Sequence, residues 1–171
     1  MRSTRLWITL SCCLFAMTLA GWAQGRKPGL WEMTTTTTWQ QSPFPPGMAA
    51  ASPSANPFMA SGLHTTLVCL TQEQIDRYGA IVPSTRGCQV TNLVKSAHGM
   101  TADWVCNGMM SGKGTLESSW SDENRAVGKV HFAGSIQAGP NPKPIEWTAE
   151  STSVFKGADC GAVKPMAMPN K

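Results

Sequence analysis

Cysteine, histidine, the acids and methionine are the residues of this 171-residue chain that could carry chemistry. Cys12 and Cys13 sit side by side in an apolar N-terminal run, while Cys69, Cys88, Cys106 and Cys160 are spread along the rest. Gaps of 19, 18 and 54 residues lack the close pairs of a zinc site. The three histidines read as solvated: His64 on the polar phase of a strand, His98 in a turn, and His131 opposite an apolar phase beside Lys129. Glu146 and Glu150 share the outer face of one strand. No nucleophile, base and orienter line up, and "GMMSGKG" lacks the spacing of a phosphate loop. The sequence therefore predicts no enzyme, no catalytic residue, no cofactor and no metal ligand. Met109-Met110 and Met166-Ala167-Met168, with the histidines, offer soft ligands to Cu(I); gap filling by methionine is the preferred reading.

The N-terminus sets the redox context. Arg2 and Arg5 precede an apolar run from Leu6 to Ala20, and Gly21 and Ala23 frame a small-x-small cleavage site. That is the layout of a secretory signal over residues 1–23. About 15 apolar residues fall short of the roughly 20 that a spanning helix needs, and no second run follows, so the mature chain is expected to carry no membrane span. The expected location is periplasmic or secreted. Four cysteines in an oxidising compartment imply two disulfides, with three possible pairings. Without Arg2 and Arg5, twelve basic residues face ten acidic ones. So thin a surplus, with no basic cluster, argues against a nucleic-acid partner.

The elements that must position these residues are mostly strands. In "GLWEMTTTTTWQ" alternate residues place Trp31, Met33, Thr35, Thr37 and Trp39 on one face and Glu32, Thr34, Thr36 and Thr38 on the other. Threonine is β-branched and favours extended backbone, so the run predicts a long strand whose apolar face is completed by threonine methyls. The same count groups Leu63, Thr65, Leu67 and Cys69; Cys88, Val90 and Val94; Met100, Ala102, Trp104 and Cys106; Gly114, Leu116 and Trp120; Val130, Phe132 and Ile136; and Ile145, Trp147, Ala149 and Phe155. Turn residues separate these runs. "TQEQIDRYG" predicts one short helix with a capping box of Thr71 and Gln74, an i,i+4 pair of Glu73 and Arg77, and a stop at Gly79.

These signals predict an all-β fold: a single antiparallel sheet of about seven strands, strongly bent or barrel-like, with one short helix. Residues 24–160 form a single β domain, with a Pro-rich mobile loop at 41–61 and a disordered tail at 161–171. Cys88 opens one strand and Cys106 closes the next, so an antiparallel hairpin brings them to one end and one face. A two-residue turn at His98-Gly99 would misplace the register by three, so a bulge or longer turn must correct it. Cys69 then pairs with Cys160 by elimination. Its longer loop makes Cys69→Ser the more damaging change than Cys88→Ser.

The order "KPGLWEMTTTT", "TLVCLTQEQI", Cys88, "WVCNG" and "GADC" resembles the bacterial domain of unknown function 3617 family, small exported envelope proteins. The resemblance implies a secreted, disulfide-bonded domain and transfers no catalytic or binding residue. A non-enzymatic binding or envelope-maintenance role is the expectation, with no identifiable macromolecular partner. The alternative is a carrier whose small apolar ligand sits in a barrel lined by Trp31, Trp39, Trp104, Trp120 and Trp147, all on the apolar phase. Simple core filling by those rings is the plainer reading.

Overall fold

A computed structural model describes residues 26–44, 61–137 and 139–168. The signal segment, Cys12 and Cys13, and most of the Pro-rich loop lie outside the described residues. Strands β1 (Gly29–Gln41), β2 (Gly62–Leu70), β3 (Cys88–Lys95), β4 (Gly99–Cys106), β5 (Met110–Asp122), β6 (Arg125–Gln137) and β7 (Pro142–Gly157) form one seven-stranded sheet. Its order is β2-β1-β7-β6-β5-β4-β3, antiparallel throughout. The sheet is not closed: β2 and β3 are its edges.

One face is the core. Trp31, Met33, Thr35 and Thr37 of β1 are buried there, so the threonine methyls do complete the apolar face. Trp104 of β4 packs edge-on against Phe132 of β6 at 5.5 Å, Phe132 stacks on Trp147 of β7 at 6.0 Å, and Trp147 meets Trp39 of β1 at 6.4 Å. Rings from four strands can meet because β5 contributes glycine beneath them. A Cβ at Gly114 would fall 2.4 Å from the His131 carbonyl oxygen and 3.2 Å from the Phe132 ring. Tyr78, Ala80 and Val82 cover the same core from outside the sheet.

Helix α1 (Gln72–Tyr78) has the expected chemistry at both ends. Thr71 Oγ1 accepts from the Gln74 amide at 3.2 Å, and the Thr71 amide donates to Gln74 Oε1 at 2.8 Å. Arg77 reaches Glu73 at 3.7 Å, and Gly79 closes the helix with φ 74°. In the β5–β6 turn the Asn124 amide donates to Asp122 at 2.7 Å, which holds that carboxyl below the ordinary carboxylate range.

Three sequence expectations are corrected. In β2 the core side belongs to Thr66, Val68 and Leu70, because Val68 pairs with Trp31 and Thr66 with Met33. Leu63 (71 % exposed) and Leu67 (47 %) lie on the other side, and His64, opposite Thr35, is on the core-facing phase and not the polar one. Three consecutive buried residues, Val68 to Leu70, blur the alternation where Pro165 bridges Cys69 along the free edge of this strand and Cys69 is bonded to Cys160. In β3 a bulge at Asn92-Leu93 flips the phase after Thr91, so Val94 leaves the face of Cys88 and Val90 and is 64 % exposed. Asn92 takes φ 50° there, and its side-chain amide bonds Asp103 at 2.6 Å; asparagine tolerates this left-handed conformation better than most residues. The third correction concerns the tail. Pro165 bridges Cys69, the Met166 carbonyl accepts from Gln74 Nε2 at 2.9 Å, and Met166 and Met168 pack on the core, so residues 161–168 are docked.

Candidate functional site

The disulfides fix the frame. Cys88 and Cys106 stand opposite each other in the β3–β4 ladder and are bonded. A four-residue turn, Ser96 to Gly99, and the bulge at Asn92-Leu93 together supply the register correction the sequence demanded. Cys69 of β2 is bonded to Cys160 beyond β7, a link that must pass over β1, since β1 lies between them. Gly29 makes that crossing possible. A Cβ on Gly29 would lie 2.3 Å from the Gly157 oxygen, and its φ of 134° is one that side chains rarely adopt. This is the physical content of the glycine in "GLWE".

Among the described residues, no tryptophan lines either of the two cavities described below. Trp31, Trp104 and Trp147 are fully buried in ring-to-ring packing, and Trp120 is buried with its indole N–H donating to the Ala97 carbonyl at 2.9 Å. These rings pack on one another, as the plainer reading of core filling requires. The large cavity lies across the other face of the sheet. It is a trough of about 930 Å³ that takes residues from all seven strands. Thr34 and Thr36 of β1, Thr152 of β7, Ser119 of β5 and Thr101 of β4 give it hydroxyls. Leu63 on one edge strand, Val94 on the other and Val127 of β6 between them give it apolar contact. For the trough to reach both edge strands the sheet must curl around it, as the expected strong bend implies. The threonine run of β1 thus serves both faces, filling the core with alternate residues and facing the trough with the rest.

Charge in the trough is local. Lys129 pairs with Glu150 at 3.1 Å and stands opposite Glu117 in the β5–β6 ladder, so one cation is flanked by two carboxylates. Beside it on β6, His131 meets Glu146 at 3.2 Å, so two acids that appeared unpartnered in the sequence have cross-strand partners. All four of these ion-pair side chains are partly exposed, and such pairs contribute about 0–1 kcal/mol. Met109 is exposed while Met110 is buried, so the two do not converge on one ligand position. Among the described residues no group of three or more His, Cys, Asp or Glu side chains comes together to hold a metal.

Arg26 went unnoticed in the sequence. It is only 4 % exposed, and its guanidinium lies 4.2 Å above the Trp31 ring, on the core side of the sheet. Burial pushes its pKa down to about 10, which leaves it charged at neutral pH.

Sheet, staples and trough define a class before any comparison: a disulfide-stabilised all-β protein with one open, hydroxyl-rich cavity. The chain belongs to the family described as "Protein of unknown function (DUF3617)", whose model matches residues 26–160. No curated protein matches the chain. No solved structure matches it either.

Proposed function

We propose that this is an exported, non-enzymatic binding protein that holds a small, elongated amphipathic molecule in the threonine-faced trough. The observation that carries the reading is the trough itself. Its volume of about 930 Å³ suits a drug-sized or lipid-sized guest. Leu63, Val94 and Val127 are spaced from one edge strand to the other, where an extended apolar chain would touch all three. Threonine offers such a guest methyls and hydroxyls together. The role takes up the alternative of a carrier, with its guest on the face opposite the tryptophans.

Binding is tested with a fluorescent apolar dye and with fatty acids titrated against the folded protein. Saturable one-to-one binding is expected, and Val127→Arg, which puts a charge mid-trough, should weaken it at least tenfold with little change in stability. Tryptophan emission should stay nearly constant, because the indoles face away. Binding that quenches the tryptophans and ignores Val127→Arg would return the site to the core and refute the trough.

Export supports the same reading. The charged, apolar and small-residue order of residues 1–23 is that of a cleavable signal, and two disulfides suit an oxidising compartment. Mass spectrometry of the envelope and medium fractions should find a mature chain beginning at Gln24. Recovery of a chain that retains Trp22, or of lipid on Cys12 or Cys13, would overturn that expectation.

A further inference from the structure

We infer that Arg26 holds a halide-sized anion in a second, small cavity on the core side of the sheet. The cavity measures about 30 Å³ and is bounded by Arg26, Met33, Leu116, Ala126 and Ser153, among others. Two guanidinium nitrogens, Nε and Nη2, are buried and have no hydrogen-bond partner among the described residues. Among the described residues no carboxylate pairs with Arg26 in an ion pair.

A buried guanidinium is costly unless its charge is paired and its N–H groups are bonded. The face of Trp31, 4.2 Å away, offsets part of the charge but accepts from neither orphan nitrogen. Met33, Leu116 and Ala126 give the cavity apolar walls that strengthen attraction for an anion that enters, while its lining also carries Glu117 and Lys129, which stand opposite each other in the β5–β6 ladder. Size then selects the guest. Some 30 Å³ is room for one or two water-sized particles, which excludes an organic carboxylate of any length and admits chloride. A single anion would accept from Nε–H and Nη2–H and neutralise the cation at once. It would also fasten the residues before β1 to the core, because binding only the folded state favours that state.

The test is thermal unfolding of the mature protein at fixed ionic strength, with sodium chloride or bromide replacing sodium gluconate. A rise that grows with the logarithm of halide concentration, reaching roughly 5–10 °C at about a hundred times the dissociation constant, is expected. Arg26→Met should remove the halide dependence and, in gluconate, should be at least as stable as the parent. Should that variant fail to fold, a bromide-soaked crystal of the parent protein decides: an anomalous peak within hydrogen-bond reach of Arg26 is expected. Halide-independent unfolding, halide dependence that survives Arg26→Met, or a crystal with only water beside Arg26 would each overturn the proposal.

Discussion

Removing the Cys69–Cys160 bond by the pair Cys69→Ala and Cys160→Ala is expected to cost about 4.6 kcal/mol of unfolding free energy, against about 3 kcal/mol for Cys88→Ala with Cys106→Ala. The ordering follows from loop length, 91 residues of separation against 18. Topology reinforces it. Cys88 and Cys106 are already partners in a ladder, so the hairpin holds them together without the bond. The longer link instead ties edge strand β2 across β1 to the end of β7, where the chain passes over Gly29. Alanine is the right replacement. Cys88 and Cys106 are 2 % and 1 % exposed, so a serine at either would bury an unpaired hydroxyl at about 1–3 kcal/mol. Cys69, 6 % exposed, would carry the same penalty, so Cys69→Ser stays the more damaging single change. Urea unfolding under non-reducing conditions measures both pairs, and a larger loss for the short loop would contradict the argument.

The fold was legible where alternation and chemistry agreed. β4 to β7 sort their residues as period two requires, and α1 carries its cap, ion pair and stop within nine residues. Legibility failed at the two edge strands. β2 has three consecutive buried residues, Val68 to Leu70, and a phase counted back from Cys69 comes out inverted. β3 carries a bulge whose need was evident from the cysteine register, but its position at Asn92 was not. A count that crosses it assigns Val94 to the wrong face.

Those two errors hid the candidate site. Leu63 and Val94 were assigned to the core, so the opposite face looked merely polar, a row of threonines and charges. Its apolar contacts come from the residues that edge irregularities displaced, and its depth comes from sheet curvature. Curvature is a property of all seven strands together and leaves little trace in any one; the glycines at 112, 114, 128 and 134 of β5 and β6 were the available hint, since glycine inside a strand marks bending or close approach. Arg26 was invisible for a different reason. A lone arginine ahead of a strand reads as solvated, and only tertiary packing lays it over Trp31.

Trp147→Ala is expected to cost about 3–5 kcal/mol, a large part of the stability of a domain this size. Trp147 is fully buried and touches Trp39, Trp104 and Phe132, so truncation leaves a void that three neighbouring rings cannot easily fill. Trp147→Phe separates shape from hydrogen bonding. It keeps an aromatic ring where Phe132 stacks, and it deletes a buried indole N–H that has no acceptor among the described residues. Losing part of the ring creates a small void worth about 1 kcal/mol, while removing an unpaired buried donor returns about 1–3 kcal/mol. The phenylalanine variant should therefore be between about as stable as the parent and about 2 kcal/mol more stable, and the alanine variant far below it. Denaturant midpoints for the two decide between a packed core and a hollow one. A tryptophan lining an empty cavity would lose few contacts on truncation, so a small effect of Trp147→Ala would restore the tryptophan-lined pocket.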